Sequence, residues 1–318
     1  MSNPTISIVM AVHNGERTIR AAIESVLAQT FSDFELIICD DASTDNTKTV
    51  VRSFADNRVV LLCNENNMGP GPSRDRAIAI AKGLWVTVLD ADDAYAPKRL
   101  EVLLGVAKQY PDTVVFDEIM ECHDTDGEMV PWQPIRSASV YLGVANQIRE
   151  VSIANWISQR RLTMVPFLPI HYIKNCSIRH ADVLAGEDIA FRLRLLARTK
   201  APLWYVPAPL YYYRLNSGSL STRSDSTRLL IQVLESAAPE FAWAPDMQAA
   251  IAQRIAMAQQ REHYMAFYRP LIQWQLFAAF KIACLHPNVL LEFMQRVIEV
   301  LPYHFSRFRH NGKWKKRF

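Results

Sequence analysis

The feature that most constrains the fold is an alternation of short apolar runs with segments of helical spacing over the first hundred residues. Ile6–Val12 is continuously apolar, as expected of a strand covered on both faces of a parallel sheet. The next apolar side chains share one helical face: Ile19, Ala22, Ile23, Val26 and Leu27. This β-α-β repetition predicts an α/β fold with a doubly wound, mostly parallel sheet and helices on both faces.

The same alternation continues to residue 89. Further strands are predicted at Leu36–Cys39, Val59–Leu62 and Trp85–Leu89. Helices are predicted at Thr47–Phe54 and Ser73–Ala81, and a loop rich in glycine, proline and asparagine precedes the second of them. Ligands of such a fold lie beyond the carboxyl ends of the strands. Acidic clusters follow two of the predicted strands, which is the first functional signal.

The chain length allows one large domain and an appendage. At 318 residues, we predict a catalytic domain over 1–225 and a helical carboxyl-terminal region over 226–318. The first domain is divided into a nucleotide-sugar part, 1–111, and an acceptor part, 112–225. A strand near Val114–Glu118 and a polar turn at Asp124–Gly127 are expected in the acceptor part.

Positive charge is concentrated at the end of the chain. The formal net charge is +3, but residues 303–318 hold six cationic side chains and no acidic one. The six are Arg307, Arg309, Lys313, Lys315, Lys316 and Arg317. Aromatic residues lie between them, which suits an anionic bilayer surface and not a nucleic-acid-binding domain. A solvated tail, or packing on the catalytic domain or on a second copy, are the alternatives.

Cysteine usage favours a reduced, cytoplasmic location. The five cysteines are far apart and show no zinc-binding spacing. The first residues lack the basic and apolar segments of a signal peptide. The apolar stretch Leu276–Leu285 is interrupted by Lys281 and is shorter than the roughly 20 residues of a spanning helix. We therefore predict no transmembrane helix.

Asp40 and Asp41 follow the second predicted strand. A carboxylate there accepts the N3–H of uracil or thymine, whereas cytosine offers an acceptor at that atom. The alternative is that the next residues of this motif, Ser43 to Asp45, only cap the following helix. Which of the two aspartates faces the base depends on where the strand ends, and we favour Asp41.

Asp90, Asp92 and Asp93 follow the strand at Trp85–Leu89. Residues two apart on a strand share a face, so a bend past the strand end brings Asp90 and Asp92 toward one cation and a bound diphosphate. Carboxylate oxygens suit Mn²⁺ or Mg²⁺, which neutralise the charge of a diphosphate leaving group. A solvated acidic loop is the alternative.

Two further segments carry candidate groups. Arg74 and Arg76 follow a Gly-Pro-Gly-Pro run, near a helix start where phosphate oxygens are favoured, although either could form an ordinary surface salt bridge. Glu187 and Asp188 open a predicted helix, and a carboxylate there could take the proton of an acceptor hydroxyl. Acidic residues also stabilise helix starts without catalysis.

Taken in order, these motifs resemble glycosyltransferase family 2, the inverting group with the GT-A fold. The resemblance covers roughly residues 4–222 and combines an apolar first strand with four further segments. Those segments, as they stand here, are Phe34–Asp45, Asn67–Arg76, Asp90–Asp93 and Glu187–Asp188.

The resemblance implies a role for each matching residue. The backbone of Ala11 and Val12, together with Asp41, would hold the uridine, and Arg74 would lie near the base or the phosphates. Asp90 would contact the ribose or the metal. The other three assignments are Asp92 to the metal and diphosphate, Asp188 to the base, and Glu187 to positioning the acceptor or its neighbours.

Two departures from the family pattern matter. Members often carry a histidine after the aromatic strand, where this chain has Asn216, a poorer metal ligand. Processive members also carry a Gln-x-x-Arg-Trp motif after the base motif, and it is absent here. The resemblance therefore implies transfer of a single hexose, glucose or galactose, from a UDP-sugar to a glycan or a polyprenyl-diphosphate-linked oligosaccharide. Such an enzyme would be peripheral on the inner face of the cell membrane.

Two other readings remain. A sugar-phosphate nucleotidyltransferase normally has a glycine-rich loop after the first strand, and His13-Asn14-Gly15 does not match one. A catalytically silent subunit that binds a nucleotide sugar or scaffolds a membrane assembly is the alternative from another class. The presence of Asp41, Asp90, Asp92 and Asp188 argues for the enzyme.

Overall fold

The structure is a computed structural model of the chain. It describes residues 3–125, 128–135, 147–159, 164–180, 186–215, 226–291 and 293. The described strands are β1 (Ile6–Val12), β2 (Phe34–Asp40), β3 (Val59–Cys63), β4 (Trp85–Val88), β5 (Ala94–Tyr95), β6 (Val114–Thr125), β7 (Glu128–Pro134), β8 (Arg149–Val151), β9 (Leu168–Pro169) and β10 (Leu203–Leu215).

Helices separate most of these strands. They are α1 (Ile19–Leu27), α2 (Thr47–Arg52), α3 (Pro70–Ile80), α4 (Arg99–Gln109), α5 (Ile153–Ile157), α6 (Ile170–Asn175), α7 (Glu187–Thr199), α8 (Ser226–Ala237), α9 (Pro245–Ile272) and α10 (Leu276–Leu285), with a 3₁₀ helix at Ala238–Phe241. The α1 face predicted from spacing is confirmed, because Ile19, Ala22, Ile23 and Val26 are buried.

The first sheet has the strand order β3-β2-β1-β4-β9. Its first four strands pair in parallel, and β9 adds an antiparallel edge. The register places Ala11 opposite Cys39 and Val12 opposite Asp40. Because parallel strands end at the same edge, the ends of β1, β2 and β4 come together there.

A second sheet has the order β5-β10-β6-β7, with β8 also paired to β10. The strand predicted at Val114–Glu118 is much longer, since β6 runs to Thr125 and pairs in parallel with β10 along nearly its whole length. The predicted turn at Asp124–Gly127 was placed too early, because Asp124 and Thr125 still pair with β7. Long-range pairing with β10 and β7 extends the strand beyond its apolar part.

Helix α3 begins earlier than predicted. The expected start was Ser73, but the first turn already contains Pro70 and Pro72. Proline is tolerated there because the first N–H groups of a helix have no intrahelical partner. Arg74 therefore lies inside the helix, one turn past its start.

The chain divides into two compact units, Met1–Arg254 and Ile255–Phe318. In the first, the main hydrophobic core packs side chains of β1, β2, α1 and α4 together with Tyr95 and Tyr211. The predicted boundaries at residues 111 and 225 stay predictions. Across the part of the chain that is described, no helix has the length and apolar character needed to cross a membrane. The cationic segment 303–318 lies outside the described residues.

Candidate active site

Asp40 and Asp41 stand at the junction of β1 and β2. Strand β2 ends at Asp40, whose side chain is fully buried and accepts the backbone N–H of Ser43 at 3.1 Å. Asp41 follows the strand, and its backbone N–H donates to the Val12 carbonyl at 2.7 Å. The strand end therefore separates the two carboxylates, as the choice between them required.

The Asp41 carboxylate anchors the loop before α3. Oδ1 accepts the Asn64 side-chain amide at 2.7 Å and the Met68 backbone N–H at 2.9 Å. Oδ2 accepts the Gly69 N–H at 2.7 Å. His13, which the sequence analysis did not single out, donates from Nδ1 to the Asp41 carbonyl at 2.8 Å. Asp41 thus has a structural task beside the uridine contact proposed for it.

The three aspartates after β4 differ in exposure. The side chain of Asp90 is 42% exposed, Asp92 is partly exposed, and Asp93 is buried. Asp93 accepts the Tyr211 hydroxyl at 2.7 Å and the Arg214 backbone N–H at 2.8 Å. Burial and the neighbouring charges of Asp92 and Asp90 raise the pKa of Asp93 well above its ordinary value. Asp90 and Asp92 are therefore the accessible pair.

Arg74 connects the donor motif to the predicted base motif. Its Nη2 lies 2.6 Å from Asp90 Oδ1, and its Nη1 lies 3.0 Å from Glu187 Oε1. Burial opposes the charge of this guanidinium, but the two carboxylates outweigh that effect and raise its pKa. Segments separated by 113 residues are thereby brought into one ion-pair network.

Asp188 opens α7 beside this network. Its Oδ1 accepts the Ile189 backbone N–H at 2.8 Å, and its Oδ2 lies 2.7 Å from Arg192 Nη2. Burial raises the pKa of Asp188, but the charges of Arg192 and Arg74 outweigh burial and lower it overall. With 40% of its side chain exposed, Asp188 is ionised and accessible. We call Arg74, Asp90, Glu187 and Asp188 the site cluster.

A left-handed glycine precedes each of the two site helices. Gly69 before α3 and Gly186 before α7 both have φ of +86°, a conformation that residues with a Cβ adopt at a cost. At Gly186 an added Cβ would also lie 3.3 Å from Val233. These glycines fix the directions in which α3 and α7 leave their loops, and with them the positions of Arg74 and Asp188.

A second set of charges lies beneath the site. Arg99 donates from Nε and Nη2 to the two oxygens of Asp117 at 3.0 and 2.9 Å, with both side chains fully buried. The Arg99 guanidinium also lies over the rings of Tyr95 and Tyr211, at 4.2 and 5.4 Å from their centroids. Tyr211 in turn holds Asp93. We call Asp93, Tyr211, Arg99 and Asp117 the buried layer.

The accessible carboxylates suit a divalent cation completed by substrate. Among the described residues, no group of three or more His, Cys, Asp or Glu side chains could hold a metal ion by itself. Mg²⁺ usually binds one or two carboxylates together with substrate phosphates and waters. Asp90 and Asp92 supply that number of carboxylates, so the residues fit a cation delivered with a diphosphate.

The structure brings most of the predicted residues to one edge of the first sheet. Ala11 and Val12 end β1 beside Asp41, while Arg74 joins Asp90 to Glu187. Asn216 and the loop that follows β10 lie outside the described residues. Sequence reasoning missed three supporting contacts, and no local pattern could have revealed them: Arg192 with Asp188, Arg99 with Asp117, and the Asp75–His180 pair at 2.6 Å, whose imidazole stacks on Phe191.

Residues 7–163 match the sequence model described as glycosyl transferase family 2. The chain carries a glycosyltransferase family 2 domain. The resemblance drawn from the motifs is thereby confirmed. The matched segment includes Asp41, Arg74, Asp90 and Asp92 but ends before Glu187 and Asp188, so the family match itself does not extend to the predicted base.

Two curated relatives differ in how much they share with the chain. A UDP-Glc:alpha-D-GlcNAc-diphosphoundecaprenol beta-1,3-glucosyltransferase, WfgD from Escherichia coli, is 41% identical over 106 residues, which are 33% of this chain and 42% of WfgD. The match thus spans less than half of the length of WfgD. The succinoglycan biosynthesis protein ExoO of Rhizobium meliloti is 26% identical over 96% of this chain and 89% of its own.

Solved structures identify the fold. The fragment 1–349 of TarS from S. aureus superposes with a TM-score of 0.65 at 18% identity, over 92% of this chain and 91% of that one. The same fragment in complex with UDP-GlcNAc gives 0.62. The predicted GT-A fold, a mixed and mostly parallel α/β architecture with carboxyl-terminal helices, is confirmed.

Proposed function

We propose that this protein is a non-processive, inverting glycosyltransferase. It transfers a hexose from a UDP-sugar to a hydroxyl group of a polyprenyl-diphosphate-linked acceptor. The observation that carries the proposal is the Arg74 bridge, which joins Asp90 of the donor motif to Glu187 beside Asp188. A nucleotide-binding edge and an ionised carboxylate base are thereby adjacent, as transfer between two bound substrates requires.

The chemistry follows from the placement of these groups. Asp188 accepts the proton of the acceptor hydroxyl while that oxygen attacks C1 of the sugar from the side opposite the leaving group. The bond between C1 and the phosphate oxygen breaks, and UDP departs with the electron pair. The lowered pKa of Asp188 keeps it ionised at neutral pH, so the base is present in its active form.

The remaining residues bind and orient the donor. Asp41 and the backbone of Ala11 and Val12 receive the uridine, and Arg74 stands where the diphosphate oxygens would lie. Asp90 and Asp92 would hold Mn²⁺ or Mg²⁺, which supplies positive charge to the departing diphosphate. The guanidinium of Arg74 adds a fixed positive charge at the same place.

The relatives favour glucose and a lipid-linked acceptor. The name of WfgD gives UDP-Glc as its donor and GlcNAc-diphosphoundecaprenol as its acceptor. ExoO, which matches nearly the whole chain, is named for succinoglycan biosynthesis. Of glucose and galactose, we therefore propose glucose, added during synthesis of an exopolysaccharide or surface glycan. An acceptor held in a membrane would require a peripheral location at the cytoplasmic face.

Release of UDP from a donor panel tests the proposal. The full chain is incubated with Mn²⁺ and UDP-, dTDP- or GDP-sugars, with and without a GlcNAc-diphosphate-lipid acceptor. We expect UDP release from UDP-glucose, and a drop of about 10²- to 10⁴-fold in turnover in Asp188→Asn. Asp246→Asn, on α9, is the matched control and should keep full turnover.

Two outcomes would reject the enzyme. Equal turnover in Asp188→Asn and in the wild type would remove Asp188 as the base. Tight UDP-sugar binding by calorimetry, with no transfer to any acceptor, would favour the silent binding subunit. Asp92→Ala should separately abolish stimulation by Mn²⁺, and full stimulation in that variant would remove the metal role of Asp92.

A further inference from the structure

The segment 274–291, in the second compact unit, exposes an unusual amount of apolar surface. Trp274 is 85% exposed, Phe277 83% and Phe280 66%. The other large apolar side chains exposed in this segment are Leu276, Leu285, Leu290 and Leu291. Contiguous exposed apolar surface of this kind marks a site of interaction with a protein or a membrane.

Helix α10 reverses the usual distribution of side-chain size. Its buried residues are the small Ala279 and Ala283, which pack near Phe267. Leu276, Phe280 and Cys284 follow one another at four-residue spacing on an exposed side. A helix that lies in water normally buries its large apolar side chains and exposes polar ones. Here the phenylalanines face outward.

The charges of the segment match a lipid surface. Residues 274–291 contain Lys281 and no aspartate or glutamate. A lysine at the edge of an apolar surface can extend its ammonium group to the headgroups while its methylene chain stays among the acyl chains. The final residues, 303–318, add six cationic side chains, which attract anionic headgroups.

The apolar stripe expected after α10 contributes to a different side. Its two described members are Leu290 and Phe293. Phe293 places its ring 5.7 Å from that of Phe267, and Leu290 lines an apolar cavity of about 320 Å³ together with Phe267 and Leu271. These contacts direct the stripe toward α9, and they leave Trp274 and Phe277 uncovered.

We infer that Trp274, Phe277 and Phe280 form a membrane-insertion surface, which buries its aromatic side chains in the outer part of a lipid bilayer. This inference deepens the proposed peripheral location, because it adds hydrophobic insertion to the attraction of the cationic segment. An interfacial helix with aromatic residues on its apolar side and few acidic residues has this binding mode. The surface would hold the protein at the membrane that carries the acceptor.

Vesicle binding of the full chain tests the surface. Co-sedimentation is measured with neutral phosphatidylcholine vesicles and with vesicles containing phosphatidylserine, for the wild type, for Phe277→Ser/Phe280→Ser, and for a chain that lacks residues 303–318. Leu84→Ser is the matched control, because Leu84 is an exposed apolar residue of the first unit. We expect the double variant to bind both vesicle types about tenfold more weakly or worse, and the truncation to weaken only the anionic case.

A spectroscopic measurement locates the contact. Brominated lipids should quench a component of the tryptophan emission that is absent in Trp274→Phe. Unchanged vesicle binding in the double variant, with a wild-type dimer that the variant loses in analytical ultracentrifugation, would reassign the surface to a contact between copies. Unchanged binding and an unchanged oligomeric state would mean that the chain covers this surface itself. UDP release by the soluble double variant, measured in parallel, keeps this test separate from that of glycosyl transfer.

Discussion

The site cluster and the buried layer use the same residue types for opposite purposes. In the site cluster, Asp90 and Asp188 keep about two fifths of their side chains exposed and share the arginines around them. In the buried layer, Arg99 and Asp117 are fully buried and satisfy one another with two hydrogen bonds. Accessibility therefore separates carboxylates that meet a substrate from carboxylates that hold the fold.

The two regions are joined through one short segment. Asp90 belongs to the site cluster, and Asp93, three residues later, belongs to the buried layer through Tyr211 and Arg214. The buried end fixes the backbone, and the exposed end presents its carboxylate. Substitutions in the buried layer should consequently change stability first, whereas those in the site cluster should change catalysis first.

The largest effect is expected from Arg99→Met. Removal of the guanidinium leaves Asp117 buried without its partner, which should lower the free energy of unfolding by about 3–5 kcal/mol. Urea unfolding followed by circular dichroism measures the change. Arg99→Met/Asp117→Leu should recover much of the loss. If the single variant were as stable as the wild type, the buried pair would not support the site.

Arg74→Met should affect catalysis more than stability. Without the bridge, Asp90 and Glu187 repel one another, and we expect kcat/KM for UDP-glucose to fall about a hundredfold through misplacement of the reacting groups. Arg198→Met is the control, because Arg198 pairs with Glu240 at 2.8 Å on the far part of α7. Equal losses of activity in both variants would contradict a specific role for the bridge.

Asp93→Asn should change how stability depends on pH. The raised pKa of Asp93 means that the fold favours its protonated form. The wild type therefore carries no penalty in acid, and a penalty develops as the pH rises from the unfolded pKa toward the folded one. Each pH unit over which the fold retains the extra proton costs about 1.4 kcal/mol relative to the variant. Parallel stability curves between pH 4 and 8 would contradict this assignment.

Arg192→Gln should move the acidic limb of the pH–activity profile. Arg192 is the largest of the favourable charges that lower the pKa of Asp188, so its loss should raise that pKa. Because the base acts in its ionised form, kcat/KM should then fall at a higher pH than in the wild type. Arg194→Gln, whose arginine faces Glu240, is the control. An unmoved acidic limb would mean that Asp188 does not govern the profile.

Much of the first sheet and of the donor site could be predicted from local pattern. The strands Ile6–Val12 and Val59–Cys63 and the start of α7 at Glu187 agree with their predictions to within one residue. Aspartates directly after buried strands were placed at the correct edge, because parallel strands of one sheet end together. The start of α3 was missed by three residues, since prolines in a first helical turn resemble a loop in sequence.

The sequence by itself determined the order of elements, the family motifs and the edge at which those motifs lie, because these depend on neighbouring residues and on the period of the apolar pattern. Tertiary structure decided which aspartate of Asp90, Asp92 and Asp93 is buried, which carboxylates share Arg74, and which side of α10 is exposed. Burial and ion pairing depend on residues more than a hundred positions away, as Arg74 and Glu187 illustrate. Such contacts exist only after the chain has packed, and no local pattern contains them.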